Sequence, residues 1–522
     1  MNKIICFFMI FCCYFANATN YYVSQPNGSN SNDGLTPETP FRTIQHAQEI
    51  TQPGDVVHIM NGIYTNNVPN SDVVTINISG NEENWITFKN YEGHHPIIQM
   101  NENNWQGIRI EGADYIIIDG IKIIGNNDNI TLEYAISEQN NLFNSATSGN
   151  GIGVVFEYAN PENKSHHIVI KNCEVSKCGG GGIFVQNSDY VTIENNIVKE
   201  CAWYSPYNNS GIALYQSWNS DSSTEIKNTI TRNTCYRNEC FIPDTFGFSE
   251  TIIGGSGIVI DDSRNTQSGS TLGAYVGKTN ISNNVVFDNG GRGIHSYTSD
   301  HLIIANNTVY KNCKSPDIQD GEITSYLSSN VAVVNNISFP DNDIAPINLN
   351  DTTETLVSHN LWAANSGFAN PQGLFYQTGN PDFISESSSI HDADFHLSIS
   401  SIAIENGTTS FAPLFDKDGI ERIENPDIGA YEYVENLSNP IFTNNNLLVY
   451  PNPAKNTITI ELPEQADFAS QGDIFNTMGQ SIKKFDFGNS QKINLNIEDL
   501  SSGVYFISLK GNKNTIFKLI KN

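Results

Sequence analysis

Between Gln106 and Phe339 the chain repeats one pattern seven times, and a repeat of this kind leaves few folds open. The pattern is Gly-Ile-x-aliphatic, a turn often holding Ser-Asp or Ser-Asn, then an alternating apolar run ending in Asn-Asn. It reads GIRIEGADYIIIDG from Gly107, GIFVQNSDYVTIENN from Gly182 and GIHSYTSDHLIIANN from Gly293. Looser copies begin at Gly151, Gly211 and Gly257, and a last one, EITSYLSSNVAVVNN, begins at Glu322. The second Asn of the ending falls at Asn196, Asn233, Asn284, Asn307 and Asn336, the last three separated by steps of 23 and 29 residues. Self-similarity of this length is the mark of a solenoid. No helical periodicity competes with the short alternating runs, so the coils are β and the protein is all-β.

Side chains alternate faces along a strand, which divides the labour within each copy. Ile108 and Ile110, Ile183 and Val185, Ile212 and Leu214, and Ile258 and Ile260 point inward and stack from coil to coil. Arg109, Phe184, Ala213, Val259 and His295 form one outward row, and Glu111, Gln186, Tyr215, Asp261 and Tyr297 a second. Asn at the repeated turn tolerates left-handed backbone, and its amide can bond the next coil's Asn in a single ladder. With Cys173 equivalent to Asn196, Cys178 and Cys201 share a site on adjacent coils, where Asn238, Asn289 and Asn312 follow. Neighbouring coils ~4.8 Å apart lie within disulfide reach, while in-register stacking aims the two Cβ atoms in parallel, so a thiol stack and a disulfide both remain open. The remaining Cys pairs lack a His at zinc-ligand spacing.

The repeat resembles the right-handed parallel β-helix proteins of the pectate-lyase superfamily, over residues 20–435. The start of that stretch, YYVSQPNGSNSNDGLTPETPFRTIQHAQEITQPGDVVHIMNGIY, looks like the capping segment of secreted β-helix enzymes, including family 9 and family 6 polysaccharide lyases. Phe41, Ile44, Ala47 and Ile50 fall on one helical face before Pro53-Gly54, as suits a helix plugging the first coil. Asp394-Phe395-His396-Leu397 through Asp427-Ile428-Gly429-Ala430-Tyr431-Glu432-Tyr433 resembles the terminal segment of many such proteins and is read as a closing cap.

Lys3, the apolar run Ile4 to Phe15 and Ala16-Asn17-Ala18 read as a secretory signal at residues 1–18. The β-helix domain is placed at 19–435 and a polar linker at 436–446. From Leu447, LLVYPNPAKNTITIEL, IFNTMGQSI and SSGVYFISLKGNKNTIFKLIKN look like a type IX secretion C-terminal sorting domain, a small β-sandwich at 447–522. The type IX machinery is thus one expected partner, and the protein is expected to be secreted or attached to the cell surface. A formal charge of −29 argues against nucleic acid or an anionic membrane as partners. No later apolar run is long enough for a bilayer, and a monomer is expected.

Function on a rigid scaffold sits on its insertions. The spacing widens to 37 residues between Asn196 and Asn233 and to 51 between Asn233 and Asn284. These insertions carry Trp203, Tyr204, Tyr207, Trp218, Phe241, Phe246 and Phe248, side chains suited to sugar faces or to packing loops on the wall. Beside them stand Asp261, Asp262, Arg264 and Asn265 in IDDSRN. One coil on come Arg292, His295, Tyr297, Asp300 and His301 in GGRGIHSYTSDH, with Asp300 and His301 in the turn.

Asp261 and Asp262 can hold Ca²⁺, act as acid and base, or cap turn amides. The resemblance implies a polysaccharide substrate and, as the leading activity, β-elimination on a uronic-acid-containing chain. Catalysis is assigned to His295, Arg292 and Asp261, and calcium to Asp261 and Asp262. Substrate contacts are assigned to Tyr215, Trp218, Tyr297, Arg264 and Trp203. The lyase families that the start resembles use Lys or Arg as base, and the outward rows hold no Lys. A hydrolase of polygalacturonase type and a non-catalytic glycan-binding solenoid stand as alternatives.

Overall fold

Three strands per coil, each pairing in parallel with its counterpart one coil away, build three faces of a β-helix. The computed structural model describes residues 18–434 and 448–521, apart from 247–248, 268, 342, 364–372, 388, 451–453, 462–470, 477–480, 489, 491, 502 and 511–514. The expected leader, but for its last residue, the linker at 436–446 and Phe248 lie outside the described residues. Two sheets have eleven strands and the third has nine. The coils extend in both directions beyond the seven clean copies, from Asn20–Val23 to Gln377–Thr378. Those outer coils escaped the repeat because their turns lack the Gly-Ile opening.

Register follows the inward rows. Ile212 stands beside Ile258, Ile258 beside Ile294 and Ile294 beside Ile323, all at most 1 % exposed. Burying each such side chain contributes about 1.5–3 kcal/mol, and the same residue types recur on every coil. The repeat's glycine is required by close approach. A Cβ on Gly257 would lie 2.3 Å from Val286 Cγ1, and one on Gly293 2.1 Å from Val309 Cγ1. At the first coil, the helix Ile44–Gln48 is capped by Thr43 and buries Ile44 and Ala47 against the core.

Asparagine ladders run in two turn columns, where one was expected. In the first, the backbone N–H and side-chain amide of Asn196 both donate to Asn233 Oδ1, and the relay continues through Asn284, Asn307 and Asn336 to Asn360. The preceding Asn195, Asn283, Asn306 and Asn335 take positive φ of 53–58°, which lets the chain turn and leaves the second Asn inside. The second column runs from the Cys201 N–H through Asn238, Asn289 and Asn312. It ends on Glu322, whose two carboxyl oxygens accept the backbone and side-chain N–H groups of Asn312 at 2.8 and 2.7 Å. Burial pushes the Glu322 carboxyl up to about 8. Cys178 and Cys201 are buried free thiols, which settles the thiol stack over the disulfide.

The expected closing cap lies along a flank instead of across the end. Tyr236, Phe287, Tyr310 and Phe339 form an aromatic row outside one eleven-stranded sheet, and Phe383, Phe395, Leu397 and Ile428 cover it. Phe395 meets Phe287 and Tyr310 with ring centroids 5.2 and 5.0 Å away. The covering segment is tied to the outer Asn of each turn: Asn283 donates to Phe415 O, Asn306 to Asp427 O, and Gly429 N–H to Asn335 O. An apolar row this long requires a cover, and the chain's own tail supplies it.

Residues 434–522 form a separate compact unit. It holds a three-stranded and a four-stranded antiparallel sheet around Ile458, Ile460, Ile474, Ile507 and Leu519. No helix among the described residues is long and apolar enough to cross a membrane.

Candidate functional site

The outer face of the nine-stranded sheet is the floor of the candidate site, because the long insertions flank it on both sides. Residues 125–149, 200–211, 237–257 and 311–322 enter its strands, and residues 156–165, 216–225 and 262–277 leave them. Two outward rows line the floor in the register expected from the repeat. One runs Arg109, Gly153, Phe184, Ala213, Val259, His295, Thr324 and Asn348; the other brings together Gln186, Tyr215, Asp261, Tyr297, Tyr326 and Asn350.

Asp261 stands at the centre of the second row, at the end of strand Ile258–Asp261, between Tyr215 and Tyr297. Its Oδ1 accepts from Gln267 Nε2 at 2.6 Å. Burial, then the neighbouring Asp262 charge, pushes its carboxyl up to about 7, against the pull of the Gln267 hydrogen bond. Tyr215, raised to about 12 by burial and then by the two aspartates, keeps its proton at neutral pH. Tyr215 and Tyr297 are half-buried and their phenols hydrogen-bond to none of the described residues, so both remain available to a ligand.

Asp262 is turned the other way. It is fully buried at φ +51° and accepts from Gln216 Nε2, the Thr266 N–H and hydroxyl, and the Gln267 N–H. It organises the loop that leaves the floor, as an aspartate does when it caps turn amides. Only one oxygen of Asp261 is left over, and among the described residues no group of three or more His, Cys, Asp or Glu gathers where it could hold a metal ion. The donors present do not fit the calcium site expected from the Asp-Asp pair.

His295 and Arg292 need a correction. His295 occupies its outward position but is buried: Nδ1 lies 2.6 Å from Thr324 Oγ1 and the ring packs edge-on against Tyr326. Burial, then the Arg292 charge, lowers its pKa well below the usual imidazole value, so the ring is neutral. Arg292 is spent on Asp320, donating from Nε to both carboxylate oxygens at 3.0 and 3.1 Å and from Nη2 to Oδ2 at 2.6 Å. The Tyr326 hydroxyl donates to that same Oδ2. A one-coil reading of the repeat could not see this, because Asp320 comes from the loop of the next coil.

The expected substrate contacts divide in the same way. Tyr215 and Tyr297 are on the floor beside Asp261. Arg264 lies in the loop beyond it and pairs through Nε and Nη2 with Asp300, both at 2.8 Å. Asp300 and His301 open the strand Asp300–Ala305 and are not in a turn. Trp203 is no platform: its ring packs against Tyr204 and Phe241, in a satellite cluster with Cys240 and Ile242, and its N–H donates to Arg237 O. Trp218 lines a cleft of about 310 Å³ with Glu162, Lys164, Asn219, Thr271, Leu272 and Gly273. Lys164 lies 5.7 Å over its ring and 3.5 Å from Glu162.

Behind this wall Lys227, wholly buried, bridges Asp189 at 2.5 Å and Asp221 at 3.0 Å, while the Tyr275 hydroxyl donates to Asp189 at 2.7 Å. Residues from both widened insertions thus meet on one buried ion pair, which holds the wall to the helix. At the far end of the floor, Arg109 faces Asp72 and Glu111 and is covered by the Tyr158 ring at 4.6 Å. A Cβ on Gly153 would collide with the Gln106 amide, 1.7 Å from its Oε1, so that glycine makes room for a polar group on the floor. Gln106, Gln267, Asp320 and Asp72 were missed in the sequence because all four lie outside the outward rows of the repeat. Tyr326 was legible in principle, since EITSY aligns with GIHSY.

Residues 448–522 match the secretion-system C-terminal sorting domain, so the protein is secreted or attached to the cell surface. Among solved structures the chain is similar to pectate lyase Pel9A, at 18 % identity over 80 % of this chain and 97 % of that one, TM-score 0.44. It is similar to a rhamnogalacturonan lyase at 16 % identity over 73 % and 97 %, TM-score 0.40. A GH136 lacto-N-biosidase from Eubacterium ramulus follows at 15 % identity over 69 % and 57 %, TM-score 0.34. An uncharacterized protein, YwoF of Bacillus subtilis (strain 168), is 35 % identical over 109 residues, 20 % of this chain; the match spans only 22 % of that relative's length. Residues 21–322, more than half of the chain, match the family described as the Pel9A-like right-handed β-helix region, and the chain belongs to that family.

Proposed function

We propose that the protein is a secreted polysaccharide-active enzyme that cleaves a uronic-acid-containing chain by β-elimination along the floor of the nine-stranded sheet. The observation that carries this reading is Asp261, an ionisable carboxyl near neutrality, set on an open floor between two available phenols. A base whose pKa lies near the working pH serves proton abstraction well. Asp261 takes the C5 proton of the sugar, the electron pair forms the C4–C5 double bond, and the C4–O bond to the neighbouring sugar breaks. Tyr215, still protonated at neutral pH, is placed one coil away to return a proton to the leaving oxygen. Gln186 and Tyr297 complete the row as neutral hydrogen-bond donors.

Hydrolysis through paired carboxylates would ask a second carboxylate to act across the bond, and Asp262 is committed to its loop. The test is incubation of the protein with a panel of polyuronides, following the ultraviolet absorbance of an unsaturated uronide. New reducing ends without that absorbance would replace elimination by hydrolysis. Retention of the polymer with neither signal would make the protein a glycan-binding solenoid.

A further inference from the structure

We propose that the chain cleaved carries its uronic carboxyls as esters, and that elimination proceeds without a divalent cation. This inference rests on the elimination reading above and deepens it by naming the state of the substrate's carboxyl. Removing the C5 proton places negative charge on the C6 carbonyl group. With a free carboxylate the intermediate is a dianion and a cation must face it; with an ester it is a monoanion that hydrogen-bond donors can hold.

The floor offers donors and no uncommitted cation among the described residues. Arg292 is held three ways by Asp320, Arg264 two ways by Asp300, and Arg109 lies between Asp72 and Glu111. Lys164 on the wall is paired with Glu162, Lys227 is buried on Asp189 and Asp221, and His295 is buried and neutral. Among the described residues no third acidic, His or Cys side chain joins the Asp-Asp pair to build a cation site, and three of the pair's four oxygens already serve the chain's own donors.

Apart from the Asp262 carboxylate, which is turned into its own loop, the groups beside Asp261 are neutral donors: the phenols of Tyr215 and Tyr297 and the Gln267 amide, with the Gln186 amide one coil beyond Tyr215. An ester carbonyl suits that set. A free uronate ~5 Å from ionised Asp261, at an effective dielectric of ~20, would be slowed by ~10²-fold through like-charge repulsion alone. The net charge of −29 adds to the same repulsion at longer range.

Initial rates of unsaturated-uronide formation would be measured on methyl-esterified homogalacturonan and alkyl-esterified alginate. Each would be compared with the same polymer after saponification, with added Ca²⁺ or with EDTA. The expected result is that an esterified polymer is cleaved at least ~10²-fold faster than its saponified form and that EDTA leaves the rate unchanged. Faster cleavage of a saponified polymer, or a rate abolished by EDTA and restored by Ca²⁺, overturns this inference and leaves elimination standing. Absorbance from none of the four polymers overturns the elimination reading and this inference together. Tyr297→Lys supplies a cation one coil from Asp261 and should shift the ratio of the two rates at least ~10-fold toward the saponified polymer. An unchanged ratio in a folded variant would count against the charge argument.

Discussion

Two outer faces of this β-helix carry aromatic rows at the same strand positions on successive coils, and they meet opposite fates. Tyr236, Phe287, Tyr310 and Phe339 stack against one another and disappear beneath Phe383, Phe395 and Leu397. Tyr215, Tyr297 and Tyr326 stay half-exposed on the nine-stranded floor. The first row is nearly all carbon and alternates with no charge, so the chain's own tail gains by covering it. The second is interrupted by Asp261 and flanked by Gln186 and Asn350, whose burial under a protein segment would leave polar groups to be paired. A repeat therefore produces a binding face where polar side chains enter the outward row and insertions build walls without closing over it.

The largest effect expected is on turnover at the open face. Asp261→Asn should lower the elimination rate by ~10²–10⁴-fold without lowering the melting temperature, since it removes a proton acceptor and a buried charge but no packing. Kinetics and a circular-dichroism melt on the same preparation check both halves. Loss of stability in place of activity would break the contrast between the faces. Phe395→Ala is the converse: about 3–5 kcal/mol of stability lost through a cavity against Phe287 and Tyr310, with turnover retained. Denaturant unfolding followed at two wavelengths would measure it.

The ladder end at Glu322 gives a pH dependence of intermediate size. Its folded pKa, about 8, lies above the ordinary glutamate value. The folded state therefore keeps a proton that the unfolded chain has released, and stability falls as pH rises from ~4.5 toward ~8, by no more than ~5 kcal/mol. Glu322→Gln should flatten that slope in denaturant midpoints between pH 5 and pH 8, and a slope unaltered by the change would place the titration elsewhere. The smallest kinetic effect is expected from His295→Ala, less than ~10-fold in turnover, because the buried neutral ring bonds Thr324 and packs on Tyr326 instead of meeting substrate. A ~10²-fold loss of turnover with unchanged stability would return His295 to the catalytic group.

What the sequence determined by itself was everything that repeats. Parallel stacking of Ile212, Ile258, Ile294 and Ile323 follows from two-residue alternation inside each copy, and the inward and outward rows can be written down without coordinates. The Asn columns were legible for the same reason, although the second ladder's hydrogen bonds and its end at Glu322 were not. The placement of Asp261 between Tyr215 and Tyr297 was legible too, because neighbours in register are neighbours in space. Only the tertiary structure decided which of these outward groups are free. Asp320 reaches Arg292 from an irregular loop, Thr324 and Tyr326 close over His295, Thr266 and Gln267 draw Asp262 inward, and Phe241 and Tyr204 take Trp203. Repeat periodicity governs backbone spacing and the face a side chain takes. Whether a charged group there is available depends on partners from neighbouring coils and from non-repeating segments, and those pairings are settled by three-dimensional proximity.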